Sequence, residues 1–421
     1  MKTVIALIAA ALSACAPSVS DVTSHPITPG PTAPIPGVSE RAMRIYREAI
    51  VIDAHNDIFT NVLDESYDPD VRHPAGISWL TPGAGQSDLP RFIESGITAQ
   101  WLSAFIDAPF ARQVPDASYE RTIVFLDTIR TWVARHPDKL IFATTAADVR
   151  RAKQQGKIAM LIGVEGGHAI ENSLDNLREI HRRGARYLTL TWNNGTDWAG
   201  SSGGIDGTRT GGLTDFGRDV VREMNRLGML VDLSHVSEQT FFDALETSRE
   251  PVIASHSSAR ALTDHVRNLT DDQLRAIARN GGVVNVNFFP RFIDPAHWAA
   301  FRAIDPALDA LRDSLQRAGT DSAATAAQVA GRRAQLTAGI PQTPLSVLID
   351  HFDHIAKVAG INHVGIGSDF DGISSTPRDM EDVTHLPRIA QGLLDRGYSE
   401  ADVKRILGGN MLRVMEQVLD R

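Results

Sequence analysis

Beyond residue 38 the chain alternates between short apolar runs and longer stretches in which apolar residues recur every three or four positions. The apolar runs fall at 50–54, 99–105, 158–164, 187–191, 230–233, 251–254, 282–287 and 363–367. They are apolar at successive positions, as parallel strands covered on both faces are. Between them, stretches such as 174–183, 216–227 and 271–279 carry the helical period. Strands alternating with helices eight times predict an α/β chain folded as a (β/α)8 TIM-type barrel. An open, doubly wound sheet is the alternative the same pattern allows. One segment breaks the spacing. After the seventh run, residues 294–338 are rich in Ala and charged residues and read as a helical insertion. An insertion there belongs on the C-terminal face of a barrel, where active sites form, as packing, a lid or a dimer contact.

The ends of the apolar runs repeat one chemical type. The first continues into Asp53-Ala54-His55-Asn56-Asp57, and in extended chain His55 and Asp57 share a face and can grip one cation. The third ends in Glu165-Gly166-Gly167-His168, the fifth in Ser234-His235, the sixth in Ser255-His256, and the eighth in Ser368-Asp369-Phe370-Asp371. A lone imidazole or carboxylate of this kind is commonly a satisfied core residue. Five strand ends brought to one barrel mouth argue for a site instead, because each group is costly to bury unpaired. Neutral imidazole and carboxylate suit zinc, and the five ends offer too many ligands for one open catalytic ion. They suit two metals bridged by a carboxylate. His351 and His354, three apart on a helical stretch, read as structural, and Asp53 reads as a supporting hydrogen-bond group.

Composition narrows the function. The chain has 421 residues, 43% of them hydrophobic, enough for a large core. The formal charge of −9 is spread over interspersed acids and bases, so nucleic-acid binding has no basic stripe to rest on. The single cysteine, Cys15, excludes an internal disulfide and a Cys-based zinc site. It lies at the end of an export-like segment, with Lys2 ahead of an apolar run over residues 4–12 that is too short to span a bilayer. Leu12-Ser13-Ala14-Cys15 resembles the lipobox of bacterial lipoproteins, which implies a signal peptide over 1–14 and a lipid on Cys15. A simple signal peptide with an incidental cysteine is the alternative. Residues 15–40 are mostly Pro, Ser, Thr and Gly and read as a flexible tether, leaving 41–421 as the barrel domain. The expected location is the bacterial cell envelope, with the lipid anchor as the only membrane contact and the outer membrane as destination.

The ordered motifs resemble the membrane dipeptidase (renal dipeptidase) family of zinc peptidases within the amidohydrolase superfamily, over nearly all of residues 45–418. They are Ile52-Asp53-Ala54-His55-Asn56-Asp57, Asp88-Leu89-Pro90-Arg91, Ile162-Gly163-Val164-Glu165-Gly166-Gly167-His168, Tyr187-Leu188-Thr189-Leu190-Thr191, Asp232-Leu233-Ser234-His235, Ser255-His256-Ser257-Ser258, Gly367-Ser368-Asp369-Phe370-Asp371-Gly372 and Gly409-Asn410-Met411. The resemblance implies two Zn2+ per chain, one on His55, Asp57 and Glu165 and the other on Glu165, His235 and His256. It implies Asp369 as acid/base residue, with Asp371 the runner-up, and Arg267 as the contact for the substrate carboxylate. His168 is not a ligand in that family. The activity implied is hydrolysis of free dipeptides, some with a D-residue at the C-terminal position, by a protein that is often a homodimer. Another amidohydrolase, acting on N-acyl amino acids or lactones, and a zinc-stabilised binding protein without activity are the competing readings. The chain departs from the animal enzymes after the fourth strand. There a His binds substrate and polarises its carbonyl, and here Trp192 stands in its place, so Trp192, Asn193 and Asn194 become candidate substrate contacts.

Overall fold

The computed structural model describes residues 34–78, 80–107, 117–203 and 211–420. The segment expected to be a signal peptide, Cys15 and most of the expected tether therefore lie outside the described residues. Ser39 caps the first helix, Glu40–Glu48, by accepting from the Ala42 N–H, and Val38 packs against the core.

Among the described residues nine strands follow: β1 Ile52–Asp53, β2 Ala99–Phe105, β3 Leu140–Phe142, β4 Ile158–Glu165, β5 Ala185–Thr189, β6 Leu230–Asp232, β7 Ile253–Ala254, β8 Val283–Val286 and β9 Val364–Ile366. Every pairing is parallel. β2 lies beside β1, then β9, β8, β7, β6, β5 and β4, and β2 pairs with β4 to close the ring. The result is the eight-stranded parallel barrel with surrounding helices that the alternation predicts. β3 is additional. It pairs with Ile158, Ala159 and Met160 of β4, on the edge that β5 occupies from Ile162 onward.

Several strands are shorter than their apolar runs, and side chains complete the pairing. The Asp53 carboxylate accepts from the Ser368 backbone N–H at 2.8 Å, and Asp232 accepts from the Ser255 N–H at 2.7 Å. Each thus joins its own strand to a neighbour beyond the last ladder bond. The lower barrel is filled by Ala99, Trp101, Leu161, Tyr187, Leu230, Ile253 and Val283. The C-terminal helix Asn410–Leu419 adds Met411, Met415 and Val418 to that cluster. The Asn410 amide anchors it by donating to the carbonyls of Ile361 and Val364. Asp88 caps the helix Leu89–Ser95, and the buried Arg91 pairs with Asp88 and Asp382, so that motif is architectural.

The insertion forms two helices, Pro295–Arg317 and Ser322–Thr337, packed on each other after β8, the seventh strand of the ring. Trp298 brings it to the barrel mouth. Among the described residues no helix is long and apolar enough to cross a membrane.

Candidate active site

The strand ends converge. His55 and Asp57 follow β1, Glu165 ends β4, His235 follows β6, His256 follows β7 and Asp369 follows β9. Except for His55, which is sealed beneath them, all line one cavity of about 560 Å³. His55 Nε2 lies 3.2 Å from Asp57 Oδ2 and 3.4 Å from Glu165 Oε2. The other oxygen, Glu165 Oε1, is 2.9 Å from His235 Nε2 and 3.4 Å from His256 Nε2. The two oxygens of one carboxylate thus face two separate sets of donors.

Hydrogen bonds at the far side of each ring orient these nitrogens. His235 Nδ1 lies 3.0 Å from Asn193 Oδ1, an acceptor, so the proton sits on Nδ1. His256 Nδ1 lies 2.8 Å from Ser255 Oγ, whose own proton goes to Asp232 Oδ2 at 2.6 Å. His256 must therefore donate as well. Both Nε2 atoms then present lone pairs, yet they are 2.9 Å apart, an arrangement that asks for a cation beside them. His55 Nδ1 meets the Tyr187 hydroxyl at 2.8 Å, while His55 Nε2 and Asp57 Oδ1 are buried without a hydrogen-bond partner. His55, Glu165 and His256 can bring one ligand atom each within 4.8 Å of one another, and so can His55, Asp57 and Asp369. Three imidazoles and these carboxylates, unsatisfied where they converge, fit a divalent metal such as zinc.

The electrostatics agree. Burial alone would raise the Glu165 carboxyl, but His55, His235 and His256 outweigh it and hold the group well below the usual range. Burial pushes His235 down to about 3, with Arg267 adding to the effect. Burial opposes charge on His55 too, yet Tyr187, Asp57 and Glu165 raise it well above its ordinary value, so positive charge is favoured at that point. Asp369 is raised well above the carboxylate range by burial, then by Asp57 and Glu165. Its Oδ2 accepts from Asn287 Nδ2 at 2.8 Å. Asp371 is engaged on both oxygens, by the Gln86 N–H at 2.9 Å, by Asn61 and by the Ser87 hydroxyl. Burial raises Asp371 as well, to about 7, so the two carboxyls differ in their engagement: Asp371 is held on both oxygens, whereas Asp369 is held by Asn287 on one. His235, Asp369 and Asp371 all have left-handed backbone, at φ 70°, 63° and 65°. Such strain costs about 1 kcal/mol or more per residue and persists where surroundings over-determine the position.

The opposite wall is cationic and aromatic. Arg267 is 4% exposed, none of its three guanidinium nitrogens has a hydrogen-bond partner among the described residues, and its charge lies 5.3 Å from the Phe292 ring. Trp192 lines the cavity with its ring edge-on to Phe105 at 4.9 Å, and its carbonyl accepts from Ser201. Asn193 also lines the cavity, but its side-chain oxygen is occupied by His235, so orienting that imidazole is the role its contacts describe. His168 Nε2 donates to the Ile106 carbonyl. His351 bridges the Ala259 N–H and the Ile293 carbonyl, and His354 pairs with Asp271. Asp53 serves Ser368 and the His55 N–H.

Sequence reasoning assigned no role to Tyr187, Ser255, Asp232 or Asn287, although the first three sit inside quoted motifs. Gly163 belongs with them, since a Cβ there would fall within the Tyr187 ring, and its absence lets the hydroxyl reach His55. Arg291, in the cavity wall, carried no sequence signal.

A parallel barrel with imidazoles and carboxylates converging at its C-terminal mouth defines a metal-dependent hydrolase of the TIM-barrel class. The profile of the membrane dipeptidase family, peptidase family M19, matches residues 39–420, and the chain belongs to that family. Solved structures agree. The probable dipeptidase PvdM from Pseudomonas aeruginosa is 27% identical with a TM-score of 0.74, covering 90% of this chain and 98% of its own. The M19 metallopeptidase dipeptidase AC is 26% identical with a TM-score of 0.68, over 89% and 99% of the two chains. A metallopeptidase from Rhodobacter sphaeroides, bound to a phosphinate mimic of the dipeptide L-Ala-D-Ala, is 26% identical with a TM-score of 0.67, over 88% and 99%. The protein is a metal-dependent dipeptidase by family and fold.

Proposed function

We propose that the protein hydrolyses free dipeptides with two zinc ions, one held by His55, Asp57 and Glu165 and the other by Glu165, His235 and His256. The observation that carries this reading is the division of Glu165, whose two oxygens face different imidazoles at 2.9–3.4 Å. When bound, zinc supplies Lewis acidity toward the scissile carbonyl and makes water a nucleophile near neutral pH.

The chain's own groups do the rest. Asp369 accepts a proton from the attacking water at its carboxylate and returns it to the leaving amine, and Asn287 fixes the carboxylate for both transfers. Arg267 pairs with the substrate C-terminal carboxylate, since a buried guanidinium without a partner is satisfied best by a planar anion. That contact selects short peptides over internal bonds of long chains. Trp192 narrows the cavity beside His235, in place of a group that could accept a proton. A D-residue at the C-terminal position is the substrate type we favour, because the Rhodobacter sphaeroides relative binds a mimic of L-Ala-D-Ala. We place the protein in the bacterial envelope, anchored to the outer membrane through lipidated Cys15, on the strength of its lipobox-like sequence. Labelling with a fatty-acid analogue that is lost in Cys15→Ser is the expected result.

Metal analysis of gently purified protein tests the core of the reading, with close to two zinc ions per chain expected. His235→Ala should lose mainly one ion, and Glu165→Ala should weaken both. A maximum of one ion with zinc in excess would sink the binuclear site. Turnover of a dipeptide but not of its N-acetyl form separates a dipeptidase from an N-acyl amino acid hydrolase.

A further inference from the structure

A second arginine shares the cavity with Arg267. Arg291 lies in the short helix Pro290–Ile293 after β8, and its guanidinium carbon sits 4.0 Å from the Phe301 ring centre, 5.4 Å from Trp298 and 5.7 Å from Phe289. Trp298 and Phe301 belong to the insertion helix Pro295–Arg317, so the insertion builds most of this aromatic box. Rings hold a guanidinium in place without neutralising it.

No carboxylate does so either. Among the described residues the Arg291 guanidinium has no ion pair or hydrogen bond, and its Nε is buried without a partner. Asp305 acts on it only at a distance, and Arg333, whose charge lies 5.4 Å from the same Phe301 ring, adds positive charge nearby. Arg291 also adjoins the Arg267 wall. His265 packs at 4.4 Å on Phe292, which backs Arg267, and at 4.5 Å on Trp298, which backs Arg291. Both arginines act electrostatically on His265. Two cations without hydrogen-bond partners among the described residues therefore line one cavity, linked through Phe292, His265 and Trp298.

We propose that Arg291 is a specificity contact for a second anion, and that the enzyme prefers dipeptides whose C-terminal residue carries an acidic side chain. This rests on the dipeptidase reading, with Arg267 holding the main-chain carboxylate. The neighbouring guanidinium then meets a carboxylate on the side chain of that same residue. A planar fork stacked on rings is preorganised for such a contact, which gives the helical insertion a recognition role.

The test is a pair of near-isosteric substrates, Ala-Glu and Ala-Gln, each with D- and L-configured second residues. The zinc-loaded wild type should favour the acid over the amide by about tenfold or more in kcat/KM, the factor expected of one charge-assisted contact. Arg291→Met, which keeps an aliphatic stem in the box and deletes the charge, should bring that ratio close to one. Arg291→Lys should keep part of it and provides a second background if the Met variant folds poorly. Binding of both peptides to zinc-loaded Asp369→Asn protein reads the same preference without turnover. Preferential binding that depends on Arg291, with no hydrolysis of either peptide by wild type, would overturn the dipeptidase reading and leave the anion contact standing. A ratio near one in the wild type, or one that survives Arg291→Met, overturns the anion contact while turnover of Ala-Gln leaves the dipeptidase reading intact.

Discussion

Replacing Tyr187 by Phe removes one oxygen atom from a fully buried position and leaves the ring that packs on Trp101 at 5.0 Å. That oxygen is the partner of His55 Nδ1 at 2.8 Å. With Nε2 turned toward Asp57 and Glu165, His55 as a metal ligand carries its proton on Nδ1, and the hydroxyl accepts it. His55 is itself fully buried, so no solvent replaces the lost acceptor. Leaving one buried donor unpaired costs about 1–3 kcal/mol, and removing an outer hydrogen bond of this type weakens metal binding by about 10–100-fold. The loss should be confined to the ion on the His55 side. His235 and His256 take their orientation from Asn193 and Ser255 instead. Titration against a competing chelator should resolve one zinc weakened by that factor and one unchanged, with fold and melting behaviour near wild type in the presence of excess zinc. Two equally weakened ions, or none, would refute the idea that Tyr187 acts through the His55 tautomer.

Three further outcomes are expected. Asp369→Asn should keep both metals and lower kcat by about 10²–10⁴, the range for losing general acid–base catalysis, whereas Asp371→Asn should act mainly on stability because its carboxylate binds Gln86, Asn61 and Ser87. Steady-state kinetics beside thermal melts separate the two. Arg267→Ala should raise KM for free dipeptides by the equivalent of about 1.5–3 kcal/mol and leave dipeptide amides, already poor substrates, little changed; equal losses on both would refute the clamp. Burial favours a neutral Asp382, but the His385 imidazole 3.2 Å away and hydrogen bonds from Thr384 outweigh it and hold the carboxyl down to about 2, below its value in an unfolded chain. The stability this contributes, about 2 kcal/mol, is present above pH 4 and lost as the pH falls toward and through 2. Urea midpoints should therefore show Asp382→Asn less stable than wild type at pH 7, with the gap closing by pH 2.

The alternation of apolar runs and helical periods determined the barrel, because a strand buried on both faces and a helix buried on one leave different residue patterns. Local geometry likewise made the converging strand-end residues legible. His55 and Asp57 share a strand face by their spacing of two, and strand ends of a parallel barrel can meet only at its mouth. β3 left no such trace, since three residues are too few to show a period and its place on β4 depends on where β5 begins. Contacts between distant segments were equally silent. Tyr187 reaches His55 across 132 positions, through space left by Gly163, and Asn287 meets Asp369 across 82. Asn193, which local sequence offers as a substrate donor, is turned to His235 by the packing around it. Arg291 is the sharpest case, for in the sequence it is one charge near the start of an insertion. Only the return of that insertion over the barrel mouth adds Trp298 and Phe301 to Phe289 around it and leaves its charge in the cavity without a partner among the described residues. The choice of candidate ligands follows from residue type and strand register, which are local. Proton placement, orientation and uncompensated charge follow from which segments meet, and the tertiary structure alone decides that.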